Sequence, residues 1–273
     1  MLICDMHTHS DNSFDAKNSV DMLCQFALKR GLYALAVTDH CESAYIRCGD
    51  ACEFGSFDRL IPQSVCDINS AKEKYKDHLH VLCGLELGEP MHDPEQTAHA
   101  LEYADFDFIL ASVHNLRGRD DFYYLDYKSV DVDELLHAYF DELIETASFE
   151  HFDSMAHLTY PLRYIVEREG YYPDLLPFQT QIDSVFKILI KKHKALEINV
   201  SGLYKPIGTT LPDVSLVRRF RELGGELVTI GTDAHDAEMV GKGIEHGIAV
   251  AKEAGFTQYA IFEKHQPRLI PIE

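Results

Sequence analysis

The sequence has few basic residues and no long apolar run, and these shortages exclude several classes of protein. Lys and Arg together number 25, against 45 Asp and Glu, which gives a formal net charge of −20. Binding to long nucleic acid requires clustered basic side chains that displace counterions, so we expect no nucleic-acid partner. No apolar segment approaches the ~20 residues of a membrane span, and no signal-peptide pattern opens the chain. We therefore expect a cytoplasmic protein without a membrane partner. A small anionic substrate remains compatible with the charge, because bound cations reverse the local field.

The cysteines do not form the pattern of a disulfide framework. Their number is odd, seven, and all of them lie in the first third of the chain. We expect reduced thiols, as is usual in cytosolic proteins. A zinc knuckle formed by Cys41, Cys48 and Cys52 is a less favoured alternative, because the C-x₂-C spacing is missing. The seven positions are Cys4, Cys24, Cys41, Cys48, Cys52, Cys66 and Cys83.

Short apolar segments alternate with longer amphipathic ones along the 273 residues. This alternation predicts parallel strands joined by right-handed helical crossovers. No Gly-x-Gly-x-x-Gly follows the first strand, which disfavours a dinucleotide-binding sheet, and no linker or repeat divides the chain. We predict one domain over 1–273, an α/β fold of the TIM-like (β/α) barrel type. The predicted strands are 2–7, 34–40, 80–87, 106–114, 154–160, 195–202 and 227–235, with a weaker candidate at 259–263. The predicted helices are 19–31, 131–147, 178–193 and 215–225.

Two stretches without clear periodicity, 41–66 and 115–130, each follow a predicted strand. In a barrel they would lie on the face where active sites are found. Aromatic and acidic side chains in or near the mouth are candidates for stacking on a substrate, for donating a proton or for binding an ammonium group. The aromatic candidates are Tyr45, Phe54, Tyr123, Tyr124 and Tyr160, and the acidic ones are Asp11, Glu42, Asp50 and Glu53.

Metal-binding residue types recur where the predicted strands end. His7 and His9 are two residues apart, so a strand would point both to one face. The pair alone carries little weight, because chance alone yields such a pair in a chain with 15 His. The recurrence of such residues at the ends of several strands is stronger evidence, because the carboxyl ends of barrel strands meet at one mouth. The residues expected to converge there are His7, His9, His40, His114, His157 and His235, with the carboxylates Asp15, Glu86 and Asp233.

These nine side chains suit more than one ion. A zinc-like ion with an open catalytic position takes three protein ligands, so nine ligands with one bridging carboxylate hold two or three ions. Nitrogen and oxygen ligands without thiolate suit Zn, Mn or Fe. We therefore predict a cofactor of two or three divalent metal ions.

Six motifs, in the order DMHTHS, TDH, GLE, SVH, AH at 156–157 and GTDAH, resemble those of the PHP (polymerase and histidinol phosphatase) superfamily. The resemblance implies a distorted (β/α)₇ barrel with a trinuclear metal site at the C-terminal ends of the strands. The implied ligand sets are His7, His9, Glu86 and Asp233 for the first ion; Glu86, His114 and His157 for the second, with Glu86 bridging; and Asp15, His40 and His235 for the third. On this basis Glu86, Asp233, His235 and Asp15 are expected to take part in catalysis.

The segment EINVSG at 197–202 is similar to that of the monofunctional histidinol-phosphate phosphatases. This resemblance implies hydrolysis of L-histidinol phosphate, a small phosphorylated metabolite of histidine biosynthesis. Clustered divalent ions suit phosphoester hydrolysis, because they lower the pKa of water and neutralise charge on the phosphoryl oxygens. Our hypothesis is that a hydroxide bridging the first two ions attacks phosphorus in line. A nucleophilic serine is not required, and no G-x-S-x-G motif is present.

Three further side chains are candidates for contacting the substrate. Arg163 lies in the segment HLTYPLRY, and Lys205 follows the sixth strand at a position where similar sequences often carry Arg. For both, the alternative is a solvated loop charge. Asn199 comes from a strand end, where it orients a ligand or a loop; the alternative is a hydrogen-bonded core amide. Asp39, beside His40, is a candidate for fixing an imidazole tautomer from outside the ligand set.

Other functions stay open at this point. A PHP-type phosphatase of other specificity would act on phosphotyrosine or another small phosphoester. A nuclease-like protein would need a basic groove, which the composition disfavours. A noncatalytic metal-binding scaffold would be expected to have lost ligands, whereas every expected ligand is present. The sequence leaves the oligomeric state open.

Overall fold

A computed structural model describes residues 2–43 and 57–273. The strands are β1 (Cys4–Asp5), β2 (Ala34–Val37), β3 (His40–Glu42), β4 (His80–Gly88), β5 (Phe108–Ser112), β6 (Ser154–Met155), β7 (Ala195–Asn199), β8 (Val228–Gly231), β9 (Gln258–Glu263) and β10 (Gln266–Pro271). The first eight form one parallel sheet in the order β1-β2-β4-β5-β6-β7-β8, and β3 continues β2 along β4. The sheet therefore has seven strand positions.

Contacts between the two edges of this sheet close it into a barrel. Met6 N donates a hydrogen bond to Ile230 O at 2.9 Å. A parallel bridge between Thr8 and Ala234 extends the pairing beyond β1 and β8. The prediction of a TIM-like barrel, in the distorted seven-stranded form that the resemblance implied, is confirmed.

Eight α-helices occur in the described residues. They are α1 (Val20–Lys29), α2 (Phe57–Tyr75), α3 (Pro94–Leu101), α4 (Val132–Ala147), α5 (Tyr160–Glu169), α6 (Gln179–Lys191), α7 (Val214–Glu222) and α8 (Ile244–Glu253). Aspartate side chains cap several of them: Asp131, for example, accepts hydrogen bonds from Asp133 N and Glu134 N at the start of α4. Within the described ranges, no helix is both long and apolar enough to cross a membrane.

All seven predicted barrel strands are present, and each overlaps the apolar segment that predicted it. The four predicted helices correspond to α1, α4, α6 and α7. The segment 154–160 gives a strand only at Ser154–Met155, because α5 begins at Tyr160 with Pro161 in its first turn, a position that proline suits. The candidate strand at 259–263 is confirmed as part of β9, outside the barrel. The stretch 115–130 is irregular, as predicted: it contains turns and a single isolated bridge between Asn115 and Asp121.

The expectation of an irregular stretch over 41–66 is wrong in its last part, where 57–66 belongs to α2. Phe57, Ile61 and Ile68 are buried at helical spacing, so α2 presents an apolar face to the core. Pro62 lies inside this helix, and proline normally disfavours a helix interior, which weakened the pattern. The candidates Tyr45, Cys48, Asp50, Cys52, Glu53 and Phe54 lie outside the described residues.

The hairpin of β9 and β10 covers the amino-terminal end of the barrel. Tyr259 Oη donates a hydrogen bond to Leu2 O at 2.8 Å, just before β1 begins. Phe262 stacks on Phe108 at the start of β5, with ring centroids 5.4 Å apart. The opposite end, where the strands finish, is therefore the end left for a site.

Candidate metal centre

The six predicted histidines converge at the carboxyl ends of the strands, and their Nε2 atoms meet in three close pairs. A neutral imidazole has one donor and one acceptor nitrogen, so two facing Nε2 acceptors repel each other unless a cation lies between them. Two nitrogens bound to one tetrahedral zinc ion would be about 3.3 Å apart, so this spacing fits one ion per pair. The pairs are His7 with His9 at 3.0 Å, His40 with His235 at 3.3 Å, and His114 with His157 at 3.4 Å.

Glu86 lies between two of these pairs. Its Oε1 atom is 2.9 Å from His157 Nε2 and 3.1 Å from His114 Nε2. Its Oε2 atom is 3.2 Å from His7 Nε2 and 3.3 Å from His9 Nε2. This Oε2 atom is buried without a hydrogen-bond donor, a costly state for a carboxylate oxygen unless a cation binds it. The bridging position that the resemblance implied for Glu86 therefore fits the geometry.

Two further carboxylates complete the cluster. Asp233 Oδ1 lies 3.4 Å from His9 Nε2, and the backbone of Asp233 has a φ of 53°, a left-handed conformation that Asp tolerates better than most residues. Asp15 Oδ2 lies 3.2 Å from His235 Nε2, and Asp15 Oδ1 lies 3.6 Å from His40 Nε2. The structure thus brings together all nine predicted ligand residues, in groupings that suit the three implied sets.

The charges at the centre suit cation binding. Burial alone would raise the pKa of Glu86, but the imidazoles of His7 and His114 hold that pKa well below its usual value. The pKa of Asp233 is also held well below its usual value against the effect of burial, chiefly by His7. Burial lowers the pKa of His9, with the neighbouring His235 acting in the same direction. Against the effect of burial, Glu197 and Glu86 raise the pKa of His7 well above its usual value, and Glu86 and Glu42 do the same for His114. Metals bind ionised carboxylates and neutral imidazoles, so a cation would displace the protons of these two rings.

Glu197 holds two parts of the centre in place from outside. Its Oε1 atom lies 2.8 Å from His7 Nδ1, on the side of the ring away from the cluster. Its Oε2 atom accepts a hydrogen bond from His157 N at 2.8 Å. In the sequence, Glu197 is prominent only as the first residue of the segment EINVSG. The signal that it faces the site was its spacing of two residues from Asn199, since both then point to one face of β7.

Asp39 acts on the centre through a serine. Ser13 Oγ donates to Asp39 Oδ1 at 2.9 Å and lies 3.2 Å from His9 Nδ1. Ser10 also donates to Asp39, from its backbone N at 2.6 Å and from Oγ at 2.7 Å. Asp39 therefore lies outside the cluster and orients the loop that carries His9.

Glu42 is a third carboxylate beside the centre that the ligand sets do not include, after Glu197 and Asp39. Its Oε1 atom lies 3.1 Å from His114 Nδ1 and 3.5 Å from His40 Nδ1. Its neighbour Glu89 is buried beside it, and burial together with the Glu42 carboxylate raises the pKa of Glu89 well above its usual value. From the sequence alone, Glu42 is a candidate only for donating a proton or for binding an ammonium group.

A cavity of about 870 Å³ opens above the cluster. One part of its lining is cationic, with Arg163, Lys205 and Lys242. Another part carries Asp121 and the rings of tyrosines. Burial raises the pKa of Asp121. The cavity therefore offers groups that suit both an anion and an organic cation. The tyrosines in its lining are Tyr123, Tyr124, Tyr160, Tyr164 and Tyr204.

Arg163 lies at the floor of this cavity, beside the cluster. Its Nη1 atom is 3.6 Å from Asp233 Oδ2 and 3.4 Å from Ser201 Oγ. Its guanidinium stacks on Tyr160, 4.6 Å from the ring centroid. The side chain is only 10% exposed, and its Nε atom has no hydrogen-bond partner. The alternative of a solvated loop charge is therefore wrong for Arg163, which belongs to the first turn of α5.

The other two candidate substrate contacts occupy different places. Lys205 is exposed at the rim of the cavity. Asn199 is fully buried, and its Nδ2 donates to Glu197 Oε2 at 3.1 Å. Its Oδ1 accepts from Ser201 N at 3.0 Å and from Ser201 Oγ at 2.6 Å. Asn199 thus orients the turn after β7, which is one of its two predicted roles, and both its amide nitrogen and its amide oxygen are hydrogen-bonded.

The fold and the site define a class of protein: a parallel β/α barrel with a cluster of histidines and carboxylates, suited to metal binding, at the carboxyl ends of its strands. Residues 5–201 match the family described as the PHP domain. Because this match covers more than half of the chain, the protein belongs to the PHP domain family.

Relatives over nearly the full length carry a consistent name. A histidinol-phosphatase of Lactococcus lactis is 30% identical over 267 residues, covering 94% of this chain and 93% of the relative. A probable histidinol-phosphatase of Thermotoga maritima is 29% identical over 257 residues, covering 94% of each chain. The crystal structure of histidinol phosphate phosphatase from Lactococcus lactis, in complex with Zn, L-histidinol and phosphate, superposes with a TM-score of 0.82 at 26% identity and covers 97% of this chain and 98% of that one.

Proposed function

We propose that this protein is a metal-dependent phosphomonoesterase that hydrolyses L-histidinol phosphate to L-histidinol and phosphate in histidine biosynthesis. The observation that carries the proposal is the position of the buried Arg163 guanidinium, 3.6 Å from Asp233 and directly beside the histidine–carboxylate cluster. An anion-binding group and a metal-binding cluster then share one cavity floor. The names of the full-length relatives support the same reaction.

The proposed cofactor is three divalent ions, and Zn, Mn and Fe all suit the nitrogen and oxygen ligands. The zinc in the Lactococcus lactis structure supports a metal centre of this type. When bound, such ions supply Lewis acidity, lower the pKa of water and neutralise charge on a phosphoryl group. The residues proposed to hold them are His7, His9, Glu86 and Asp233; Glu86, His114 and His157; and Asp15, His40 and His235.

The proposed role of Arg163 is to bind the phosphate group of the substrate. Its guanidinium is held between the ring of Tyr160 at 4.6 Å and the ring of Tyr164 at 5.2 Å, so little freedom is lost when it binds. Arginine binds phosphate oxygens in a bidentate way, whereas lysine acts as a point charge. Lys205, at the rim, is proposed to attract and loosely hold the phosphate.

The proposed place of the alcohol part of the substrate is the acidic and aromatic part of the cavity. L-Histidinol carries an ammonium group and an imidazole ring. A carboxylate such as that of Asp121 and the faces of Tyr123 and Tyr124 are groups that bind a cation and a flat ring. All three residues line the cavity.

Phosphate release by metal-loaded protein tests this function. The panel is L-histidinol phosphate, a phosphotyrosine peptide, a generic aryl phosphate and single-stranded DNA, with the variants His9→Ala and Arg163→Ala alongside. We expect a strong preference for L-histidinol phosphate, activity abolished in His9→Ala and weakened in Arg163→Ala. Equal activity on the aryl phosphate would contradict the assignment of L-histidinol phosphate as the substrate, but it would still agree with metal-dependent hydrolysis of phosphoesters. A metal-loaded protein without hydrolytic activity would contradict the proposal as a whole.

A further inference from the structure

Arg168 joins helix α5 to the loop that forms one wall of the cavity. Its Nη1 atom donates a hydrogen bond to Leu125 O at 2.6 Å, and its Nη2 atom donates to Tyr123 O. Tyr123 itself lines the cavity. A guanidinium presents its N–H donors in a rigid planar fork, and here the fork binds two carbonyl groups of one loop. Arg168 therefore holds the backbone of this wall.

The two carbonyls belong to the part of the loop that packing secures least. Phe122 and Tyr127, on either side of it, are 0% and 4% exposed, and Tyr127 Oη donates to Phe122 O at 2.9 Å. Between them, Tyr123 is 53% exposed and Tyr124 is 56% exposed. Packing thus anchors the two ends of the segment, and the hydrogen bonds from Arg168 act on the residues between those ends.

A series of stacked rings connects Arg168 to Arg163. The Arg168 guanidinium lies 5.5 Å from the ring centroid of Tyr123 and 5.8 Å from that of Tyr164. These two rings pack edge to face, with centroids 5.7 Å apart. The Arg163 guanidinium lies 5.2 Å from the same Tyr164 ring. One helix, α5, therefore sets both the guanidinium beside the cluster and the tyrosine-bearing wall of the cavity.

We propose that Arg168 is a positioning residue that determines specificity for the alcohol part of the substrate. It holds the loop so that Asp121, Tyr123 and Tyr124 lie at a fixed place relative to Arg163. The inference rests on the proposed function, in which these three side chains bind L-histidinol. Arg168 acts through the loop and does not touch the substrate. A ligand that had to order a loose loop would bind more weakly, because the loop would lose conformational freedom on binding.

The charge of Arg168 offers a simpler explanation for its presence. Arg168 lies in the last turn of α5, where a cation interacts favourably with the helix dipole. The dipole does not explain why the two N–H groups reach carbonyls 43 and 45 residues away in the chain. Replacement by lysine separates the two explanations, because lysine keeps the charge and loses the fork.

The test compares hydrolysis of L-histidinol phosphate with hydrolysis of propyl phosphate by the metal-loaded protein. Both are phosphate esters of a primary alcohol, but propyl phosphate lacks the ammonium group and the ring. The variants are Arg168→Ala and Arg168→Lys. The matched control is Arg117→Ala, because Arg117 also donates to two carbonyls, those of Met91 and His92, which do not line the cavity. Inhibition constants for L-histidinol and for inorganic phosphate, metal content and Tm are measured on the same samples.

Arg168→Ala should impair the use of one ester and not of the other. We expect kcat/KM on L-histidinol phosphate to fall about 10-fold, the effect of losing one hydrogen bond from a charged group, and the inhibition constant of L-histidinol to rise by a similar factor. The values for propyl phosphate and inorganic phosphate, and the metal content, should stay parental. Arg168→Lys should show most of the same loss, and Arg117→Ala should keep the parental selectivity.

A double variant tests whether Arg168 acts through the loop. In an Asp121→Asn background, Arg168→Ala should raise the inhibition constant of L-histidinol by a smaller factor, because one of the groups that it positions is already altered. Equal losses on the two esters would indicate a general structural role and overturn the inference, as would full selectivity in Arg168→Lys; either result leaves the proposed function intact. A parent protein that hydrolyses propyl phosphate as well as L-histidinol phosphate would instead contradict the proposed function.

Discussion

Arg163 Nη1 lies 3.6 Å from Asp233 Oδ2, where the floor of the cavity meets the cluster. The ion pair joins a residue on the first turn of α5 to one that follows β8, so two distant parts of the chain set the position of the guanidinium. Arg163 is oriented by this pair and by Ser201, while its Nε atom has no partner. Arg163 also lines the cavity, so its guanidinium is within reach of an anion bound above the cluster.

Replacing Arg163 should impair turnover without emptying the centre. We expect Arg163→Ala to lower kcat/KM on L-histidinol phosphate on the order of 10²-fold, as when one preorganised charge-stabilising donor is lost. Steady-state kinetics and metal analysis on the same sample measure this. Arg218→Ala, which removes an arginine that pairs with Glu253 at the surface, is the matched control. A parallel loss of metal would show that Arg163 supports the cluster instead of the substrate.

Lys205 should affect capture of the substrate more than the chemical step. Its side chain is exposed at the cavity rim, where a charge attracts an anion and is screened by salt. We expect Lys205→Ala to raise KM several-fold with little change in kcat, and the difference from the parent to shrink as salt is added. Kinetics at low and high ionic strength test this, and a KM equal to that of the parent at low salt would refute it.

Removing metal should destabilise the protein as well as inactivate it. The Nε2 pairs and the Glu86 oxygen without a donor leave buried groups that a cation would satisfy. A ligand at 100 times its Kd stabilises the folded state by about 2.7 kcal/mol per site. We expect a chelator to lower the Tm and abolish activity, and added Zn, Mn or Fe to restore both. Thermal melts with back-titration measure the effect, and an unchanged Tm would count against a bound cluster.

Buried thiols should make the metal-free protein less stable at alkaline pH. Burial raises the pKa of Cys24 to about 12 and that of Cys83 to about 11. The unfolded chain releases these protons first, so their contribution is complete below about pH 8.5 and is lost as pH rises toward the folded pKa values. Urea unfolding at increasing pH should therefore show declining stability. The double variant Cys24→Ala/Cys83→Ala should decline less steeply, whereas Cys66→Ala, at an exposed thiol, should follow the parent.

Substitutions at the end of the barrel opposite the cavity should lower the stability of the protein without changing its activity. Phe262 is 2% exposed and stacks on Phe108. We expect Phe262→Ala to cost about 3–5 kcal/mol in unfolding free energy while kcat and KM stay at parental values well below the lowered Tm. Leu269→Ala, at a half-exposed site on the same hairpin, should be nearly neutral. Altered kinetic constants in Phe262→Ala would show that the hairpin influences the site.

The ligand cluster was predictable from the sequence because two simple regularities determine it. Strand alternation puts His7 and His9 on one face, and parallel barrel strands end at one mouth. The same alternation applies to Glu197 and Glu42, but their roles depend on which ring nitrogen lies nearest. Which ring nitrogen lies nearest to a carboxylate depends on the depth of that residue in the barrel. Two residues on the same face of a strand differ in depth by about 6.6 Å.

The region around Arg163 was harder to predict. The apolar segment before it continues past Met155, so periodicity extended the strand to Tyr160 and left Arg163 in a loop. Pro161 was the available signal, because proline favours the first turn of a helix. The start of α2 was also hard to predict, but there the proline was misleading. Pro62 lies inside that helix, where proline is normally excluded. Only tertiary packing of Phe57 and its neighbours decides that segment.

Because the barrel closes between β1 and β8, the ligands of the proposed metal centre come together only late in synthesis. Thr232 donates a hydrogen bond to His7 O across a separation of 225 residues. During synthesis on the ribosome, the first two histidines emerge early and must wait for Asp233 and His235 until most of the chain has been translated. Ions captured by a nascent chain would therefore meet an incomplete set of ligands, and the proposed centre would reach its full affinity only after Asp233 and His235 have left the ribosome.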